Sequence, residues 1–339
     1  MTPTLSYAQR YEDLHLMRCF GAQPNGFYID IGAGHPVYDN VSFAFYLRGW
    51  AGITVEPNPW LTELSAAVRP RDCRIQSLVG ATPGESTYYL VEHFHGFSTT
   101  VESNAQAVLQ NYGKAAQAMA VPVTTLTALC ELYAPKQIDF LKIDVEGAEK
   151  DVLTGGDWDR FRPKVIVLEA LAPVTLMPAW ADWEPLLTSN GYRSAFFDGL
   201  NRYYVAQEHA HLEQALAAEP PPFDGVVQVR TLTPALENRS HPDHRLAQLF
   251  AGLDMIRLPL IEADTLMGML TAGMPAAELD RIAMPADVQA AHERLFGDLP
   301  PDSADDLHRS ATIRDLYANL IASEPFRAAC GRISASYAW

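Results

Sequence analysis

Cysteine is scarce in this chain: 4 of 339 residues, at positions 19, 73, 130 and 330, far apart and with no CxxC pair. Each lies in or beside an apolar run, which reads as buried thiols in a reducing compartment, not as a disulfide framework or a zinc site. Charge is sparse too, at 19% of residues, and positive charge is sparser, for a formal net charge of −16. No lysine follows Lys164, and the basic residues beyond it are scattered arginines. A nucleic-acid backbone requires clustered Lys and Arg, so nucleic acid is not expected as a partner. No apolar run approaches the length of a membrane span. Residues 1–9 lack the basic start and apolar middle of a signal peptide, so a cytoplasmic protein with no membrane span is expected. Hydrophobic residues, at 48%, are ample for a large core, and the length suggests one large domain with a smaller one.

What is present is a short stretch on which the rest turns: Gly26-Phe27-Tyr28-Ile29-Asp30-Ile31-Gly32-Ala33-Gly34. A run of β-formers ends in a glycine-spaced turn, the pattern of a buried parallel strand. Gly32 and Gly34 have no Cβ, so the backbone can turn sharply there and lie close to a ligand. In doubly wound folds a nucleotide-like ligand sits at this place, the carboxyl end of the first strand. Asp30 replaces the first glycine of the dinucleotide pattern, and the third glycine is missing. A carboxylate there repels a pyrophosphate but suits an amino group and a sulfonium, as in S-adenosylmethionine. Taken alone, the turn fits an ordinary βα connection equally well.

Periodicity gives an opening helix over 6–20 and strands over 27–31, 51–56, 74–79, 85–91, 138–144 and 165–169. Between them it gives helices over 39–50, 61–68, 126–132, 149–153 and 183–189, and then a hairpin of 192–197 with 202–205. Residues 93–120 read as an irregular segment, a lid or a loop. Strands alternating with helices imply βαβ units: an α/β fold with a doubly wound, mostly parallel sheet and an antiparallel terminal hairpin. The run Glu219-Pro220-Pro221-Pro222 breaks this pattern. It sets a domain over 1–222 and a helical appendage over 223–339, with helical periodicity at 246–253, 286–296 and 307–321. The appendage is expected to support homo-oligomerisation or acceptor docking.

Acids gather at the predicted strand ends. Glu56 lies roughly twenty residues past the glycine turn, where nucleotide-binding folds place an acid on the ribose hydroxyls. Asp144 and Glu146 end the fourth strand and Glu169 the fifth. Carboxylates crowded on one rim repel one another, and such crowding persists where a cation, a polar ligand or proton transfer offsets it. Glu149 reads as a helix N-terminal acid. His35 and His95 flank the same region. Asn40 and Ser98 either meet a cofactor or cap turns, and Asp198 and Asn201 read as hairpin-tip residues.

Several segments together resemble the FkbM-type methyltransferase family. They are Ser6-Tyr-Ala-Gln-Arg-Tyr-Glu-Asp-Leu14, Tyr28-Ile-Asp-Ile-Gly-Ala-Gly34, Gly49-Trp-Ala-Gly-Ile-Thr-Val-Glu-Pro57, Phe97-Ser-Thr99, Asp139-Phe-Leu-Lys-Ile-Asp-Val-Glu-Gly147 and Phe197-Asp-Gly-Leu-Asn-Arg-Tyr-Tyr-Val205. The resemblance covers about residues 6–209. The last segment resembles members associated with bacterial surface glycans. Departures are the absence of a glycine near Arg10-Tyr11 and Gly34 where Asn is commoner. The resemblance implies a class I Rossmann-like enzyme that uses S-adenosylmethionine to methylate a hydroxyl, here on a sugar or glycan precursor. The expected cofactor set is Asp30, Gly32, Gly34, Glu56, Asn40 and Ser98. The expected catalytic set is Asp144, Glu146, Glu169 and His95, with Asp144 and Glu169 as ligands if Mg²⁺ assists. The rival readings are an NAD-dependent oxidoreductase on the same architecture and a non-catalytic S-adenosylmethionine-binding scaffold.

Overall fold

In the computed structural model, residues 4–91, 95–172, 175–217, 225–232, 234–263, 265–266 and 313–337 are described. The strand carrying the glycine turn, β2 (Phe27–Ile31), follows β1 (Thr4–Ser6) and α1 (Glu12–Phe20). After it come α2 (Phe43–Tyr46), β3 (Ala51–Val55), α3 (Pro59–Val68), β4 (Cys73–Ile75), β5 (Leu78–Val79) and β6 (Gly84–Val91). Then follow α4 (Glu102–Tyr112), β7 (Ala116–Thr124), α5 (Leu126–Tyr133), β8 (Phe140–Ile143), α6 (Glu149–Thr154) and β9 (Val165–Glu169). The series continues with α7 (Glu184–Ser189), β10 (Tyr192–Phe197), β11 (Asn201–Ala206), α8 (Glu213–Ala217) and β12 (Val226–Gln228).

Seven strands form one sheet in the order β10-β11-β9-β8-β2-β3-β4. From β9 to β4 neighbours are parallel, and β11 and β10 close one edge antiparallel. Alternation along β2 sends Ile29 and Ile31 to one face, where α5, α6 and α7 contribute Leu129, Val152 and Leu187. It sends Tyr28 to the other face, where α1, α2 and α8 contribute Leu16, Phe45 and Leu216. Each such buried aliphatic or aromatic side chain is worth about 1.5–3 kcal/mol relative to exposure. The chain winds outward from β2 first to β3 and later, on the other side, to β8. This makes the gap between β2 and β8 the topological switch point, where such sheets bind ligands.

The expected strands and helices of this unit are present with differences at their ends, the strand expected over 85–91 lying in a separate three-stranded sheet of order β5-β7-β6. Residues 6–11 do not join α1, because the Asp13 carboxylate accepts from Ser6 Oγ and the Tyr7 N–H, both at 2.7 Å. The expected helix over 39–50 contracts to α2, since Asp39 sits at φ 47° and the Asn40 side chain holds the preceding loop. The strand expected over 74–79 splits into β4 and β5 around Ser77, whose Oγ donates to the Pro122 carbonyl at 2.8 Å. Residues 95–120 are more ordered than expected: α4 ends at Gly113 (φ 67°), and β7 pairs with β6 along eight positions. β7 escapes notice because Ala116-Gln-Ala-Met-Ala has little strand propensity and Pro122 sits within it.

The chain divides into two compact units, Met1–Ala66 with Pro70–Val229, and Ala67–Arg69 with Arg230–Trp339. The division expected at Pro222 lies outside the described residues; β12, which follows it, pairs in parallel with β1. The second unit contains α9 (His244–Leu249), α10 (Ile313–Ala322) and α11 (Glu324–Ala335). Its core includes Leu246, Phe250, Leu258, Phe326 and Ile333, and Arg332 grips Asp243 with two bonds of 2.7 and 2.8 Å. The helix expected over 286–296 lies outside the described residues. All four cysteines are thiols, buried at 130 and 330 and partly buried at 19 and 73. Among the described residues no helix is long and apolar enough to cross a membrane.

A Cβ on Gly32 would lie 1.7 Å from the Asp144 carbonyl, and its φ of 70° is one that side chains resist. A Cβ on Gly34 would meet nothing within 4 Å. Gly32→Ala is therefore expected to cost roughly 2–4 kcal/mol, while Gly34→Ala costs only the roughly 1–2 kcal/mol of the left-handed backbone. Urea unfolding of both variants checks this; equal losses would refute the distinction.

Candidate active site

The glycine turn is built from backbone donors and one acid. The Gly32 and Ala33 N–H groups donate to the Val55 carbonyl at 3.0 and 3.1 Å, seating the turn on the end of β3. The Gly34 N–H donates to Glu56 Oε2 at 2.9 Å, and the Asn58 N–H to Oε1 at 2.8 Å. Glu56 is buried, and burial lifts its pKa to about 7 against the pull of those two donors and of Lys142. Beside it, Gly34 (φ 61°) faces open space. A small cradle with a carboxylate at its wall is what a ribose would require.

Two expected site residues turn out to organise this cradle from behind. Asn40 Nδ2 donates to the Ala33 and His35 carbonyls at 3.0 and 3.2 Å, and its Oδ1 accepts the Phe43 N–H at 2.8 Å. Of the two roles open to Asn40, the structure shows the turn cap. Asp30 is fully buried: Oδ2 accepts from Ser42 Oγ at 2.6 Å, and Oδ1 lies 3.6 Å from Lys142 Nζ. It holds the turn in place and does not face the opening. His35 is likewise buried, with Nδ1 accepting the Val37 and Tyr38 N–H groups at 3.1 and 3.0 Å.

Across the switch point stands the acid group. Asp144, Glu146 and Glu169 each offer an oxygen within 4.8 Å of the others. Asp144 follows β8 and Glu169 ends β9, so parallel pairing alone brings these two together. Glu146 is placed by a strained turn, with φ 55° at Glu146 and 106° at Gly147. Glu149 lies in the first turn of α6, as expected of a helix N-terminal acid, and its Oε1 accepts the Val145 and Gly147 N–H groups of the preceding turn at 3.3 and 3.1 Å. Burial, followed by the charges of Asp144, Glu146 and Glu149, pushes Glu169 up to about 11. Burial and Asp144 also raise Glu146. Burial and the neighbouring charges thus favour a proton on Glu169 at neutral pH. Glu169 Oε2 is buried without a hydrogen-bond partner. Hard carboxylate oxygens at this spacing suit Mg²⁺ or Ca²⁺.

The segment read as a lid or a loop is tied to the acid turn. The Glu146 carbonyl accepts from Thr99 Oγ1 at 3.0 Å and from Asn104 Nδ2 at 3.2 Å. Ser98 is buried and accepts the Val91 N–H at 3.0 Å. The pKa of Tyr88 is held well above the ordinary tyrosine value by burial and by the charges of Glu56 and Glu146, against the pull of the nearby Ser98. Tyr88 therefore stands near both the cradle and the acids. His95 lies in the 3₁₀ turn His95–Phe97, and its side chain lies outside what is described. Sequence reasoning missed Ser42, Tyr88, Asn104 and the part played by Lys142. Only Lys142 stood within a recognised motif.

Residues 30–194 match the family model described as methyltransferase FkbM domain. This stretch is an FkbM methyltransferase domain. The match begins at Asp30 and ends at Ser194 in β10, so it takes in the glycine turn, Glu56, Tyr88, the lid segment and all three clustered acids. Comparison with curated proteins and with solved structures returned no match. The match supports a methyltransferase for this stretch of the chain, and enzymes of this kind generally draw the methyl group from S-adenosylmethionine. The FkbM domain places its acids where the sheet's carboxyl edge opens.

The raised pKa of Glu169 fixes a sign. A carboxyl with pKa about 4.5 unfolded and about 11 folded loses stabilisation as pH climbs between those values. Glu169→Gln removes the group that resists ionising. In chelator, its melting temperature is expected to exceed that of the parent by a few degrees at pH 8, with the gap closing toward pH 5. A gap of opposite sign or one flat with pH would show that Glu169 is not held protonated.

Proposed function

We propose that the FkbM domain is an S-adenosylmethionine-dependent O-methyltransferase acting on a sugar hydroxyl in a glycan or glycan precursor. The observation that carries this reading is the pairing, across one switch point, of an open glycine–Glu56 cradle with the Asp144–Glu146–Glu169 group. The Gly32–Gly34 turn admits a nucleoside closely, and Glu56 receives its ribose hydroxyls. Ser98 and Tyr88 form a buried polar support beside it, and Asn40 and Asp30 keep the turn in shape. Bound there, S-adenosylmethionine supplies a methyl group on a sulfonium. A sugar hydroxyl is a weak acid that must shed its proton as it attacks, so a positioned base matters. Asp144, whose side chain is 36% exposed, is the accessible carboxylate. It receives the hydroxyl proton while Glu146 and the protonated Glu169 hold it in place. Lid residues 96–104 exclude water from the aligned pair.

A second reading is favoured by the orphaned Glu169 oxygen: Asp144 and Glu169, with Glu146, hold Mg²⁺. The ion would lower the acceptor hydroxyl's pKa. Stimulation of transfer by Mg²⁺ after chelation, lost in Glu169→Gln, separates this from base catalysis by carboxylate alone. Self-association through the second unit is a further proposal; a monomer in sedimentation at all concentrations would remove it.

Glu56 supplies the main test. If ribose hydroxyls bind its ionised form, S-adenosylhomocysteine affinity by calorimetry should fall about tenfold per unit as pH drops well below 7. Glu56→Gln should weaken binding by one to two orders of magnitude and flatten the profile. Binding of reduced nicotinamide dinucleotide with no binding of S-adenosylhomocysteine would overturn the reading in favour of an oxidoreductase. Transfer of labelled methyl to no member of a hydroxylated acceptor panel, despite donor binding, would favour a scaffold.

A further inference from the structure

One buried cation stands among the rim acids. Lys142 lies on β8 opposite Asp30 in β2, on the same face of the sheet. It is 6% exposed. Its Nζ donates to the Gly32 carbonyl at 2.8 Å and lies 3.2 Å from Asp144 Oδ2 and 3.6 Å from Asp30 Oδ1. One ammonium thus binds the turn of the cradle and a partly exposed acid of the facing group. Its charge also reaches Glu12, Glu56 and Glu146. No sequence rule assigns it this place, because a lysine in the middle of a buried strand reads as an exception to be explained.

The chemistry makes that charge consequential. In methyl transfer the S–CH₃ bond breaks as an O–CH₃ bond forms, and the hydroxyl proton passes to a base. The positive sulfonium becomes a neutral thioether. Acids gathered at the rim favour the cationic donor and let the neutral product go; a cation among them tempers both effects. We infer that Lys142 is a positioning residue that sets this preference, holding the Gly32 carbonyl and the Asp144 carboxylate together while offsetting the negative rim. The inference rests on the donor reading above and concerns residues of this chain alone.

The test uses two probes on the full chain at pH 8 in chelator: S-adenosylhomocysteine, neutral at sulfur, and sinefungin, which carries an ammonium at the sulfonium's place. Lys142→Met is expected to raise the ratio of their dissociation constants in favour of sinefungin by on the order of tenfold, since one nearby positive charge is gone. Lys142→Arg should stay within about threefold of the parent ratio, as should the double variant Asp30→Asn/Lys142→Met, which removes one charge of each sign. Asp30→Asn alone, which keeps a hydrogen-bonding side chain beside Ser42, should shift the ratio severalfold toward S-adenosylhomocysteine and serves if Lys142→Met fails to fold by circular dichroism. A folded Lys142→Met or Asp30→Asn chain with the parent ratio overturns the inference. A parent chain that binds neither probe overturns the donor reading and this inference together.

Discussion

Where β2 and β8 run side by side, the Asp144 carbonyl passes so close to Gly32 that no Cβ fits between them. Much of the site depends on that closeness. The turn after β2 can seat on Val55 and present the Gly34 N–H to Glu56 only because the chain at Gly32 is bare and left-handed. The same closeness lets Lys142 reach across from one strand end to the other. A tight junction of two backbones therefore decides where the cradle stands relative to the acids.

The acids carry a stability burden that this junction contains. Glu56, Glu146, Glu149 and Glu169 all have raised pKa values, with burial as the first cause in each. Uncompensated, such crowding loosens a fold. Here the compensation is distributed: backbone N–H groups at Glu56 and Glu149, an ammonium between Asp30 and Asp144, and a retained proton at Glu169. The left-handed Glu146 is held by Thr99 and Asn104 from the lid segment. Strain and charge are thus concentrated where chemistry is needed and are supported from several elements at once.

Much of the fold was readable along the chain. Short apolar runs alternating with helices gave the parallel sheet, because strands buried on both faces carry unbroken apolar sequence. The elements that escaped were those whose partners are distant. β7 is weak by propensity and exists because β6 lies beside it, and β1 because β12 does. Residues 6–11 look helical, yet the Asp13 carboxylate captures their polar groups first.

For the site, residue type and position at a strand end announced Glu56, Asp144 and Glu169, since parallel pairing carries every such end to one rim. What local sequence could not decide was direction and partnership. Asp30 and Glu56 looked alike as strand-end acids. Only the packed structure turns Asp30 inward onto Ser42 and Lys142 and leaves Glu56 beside the open glycine. By itself, the sequence determined the strand order's repeating unit, the glycine turn and the acidic rim, because these follow from periodicity and local backbone freedom. Tertiary structure alone decided which acid is buried, which keeps a proton and which cation answers them. Desolvation and charge act through space, between residues that the chain separates by a dozen positions, as Asp30 and Ser42, or by more than a hundred, as Asp30 and Lys142.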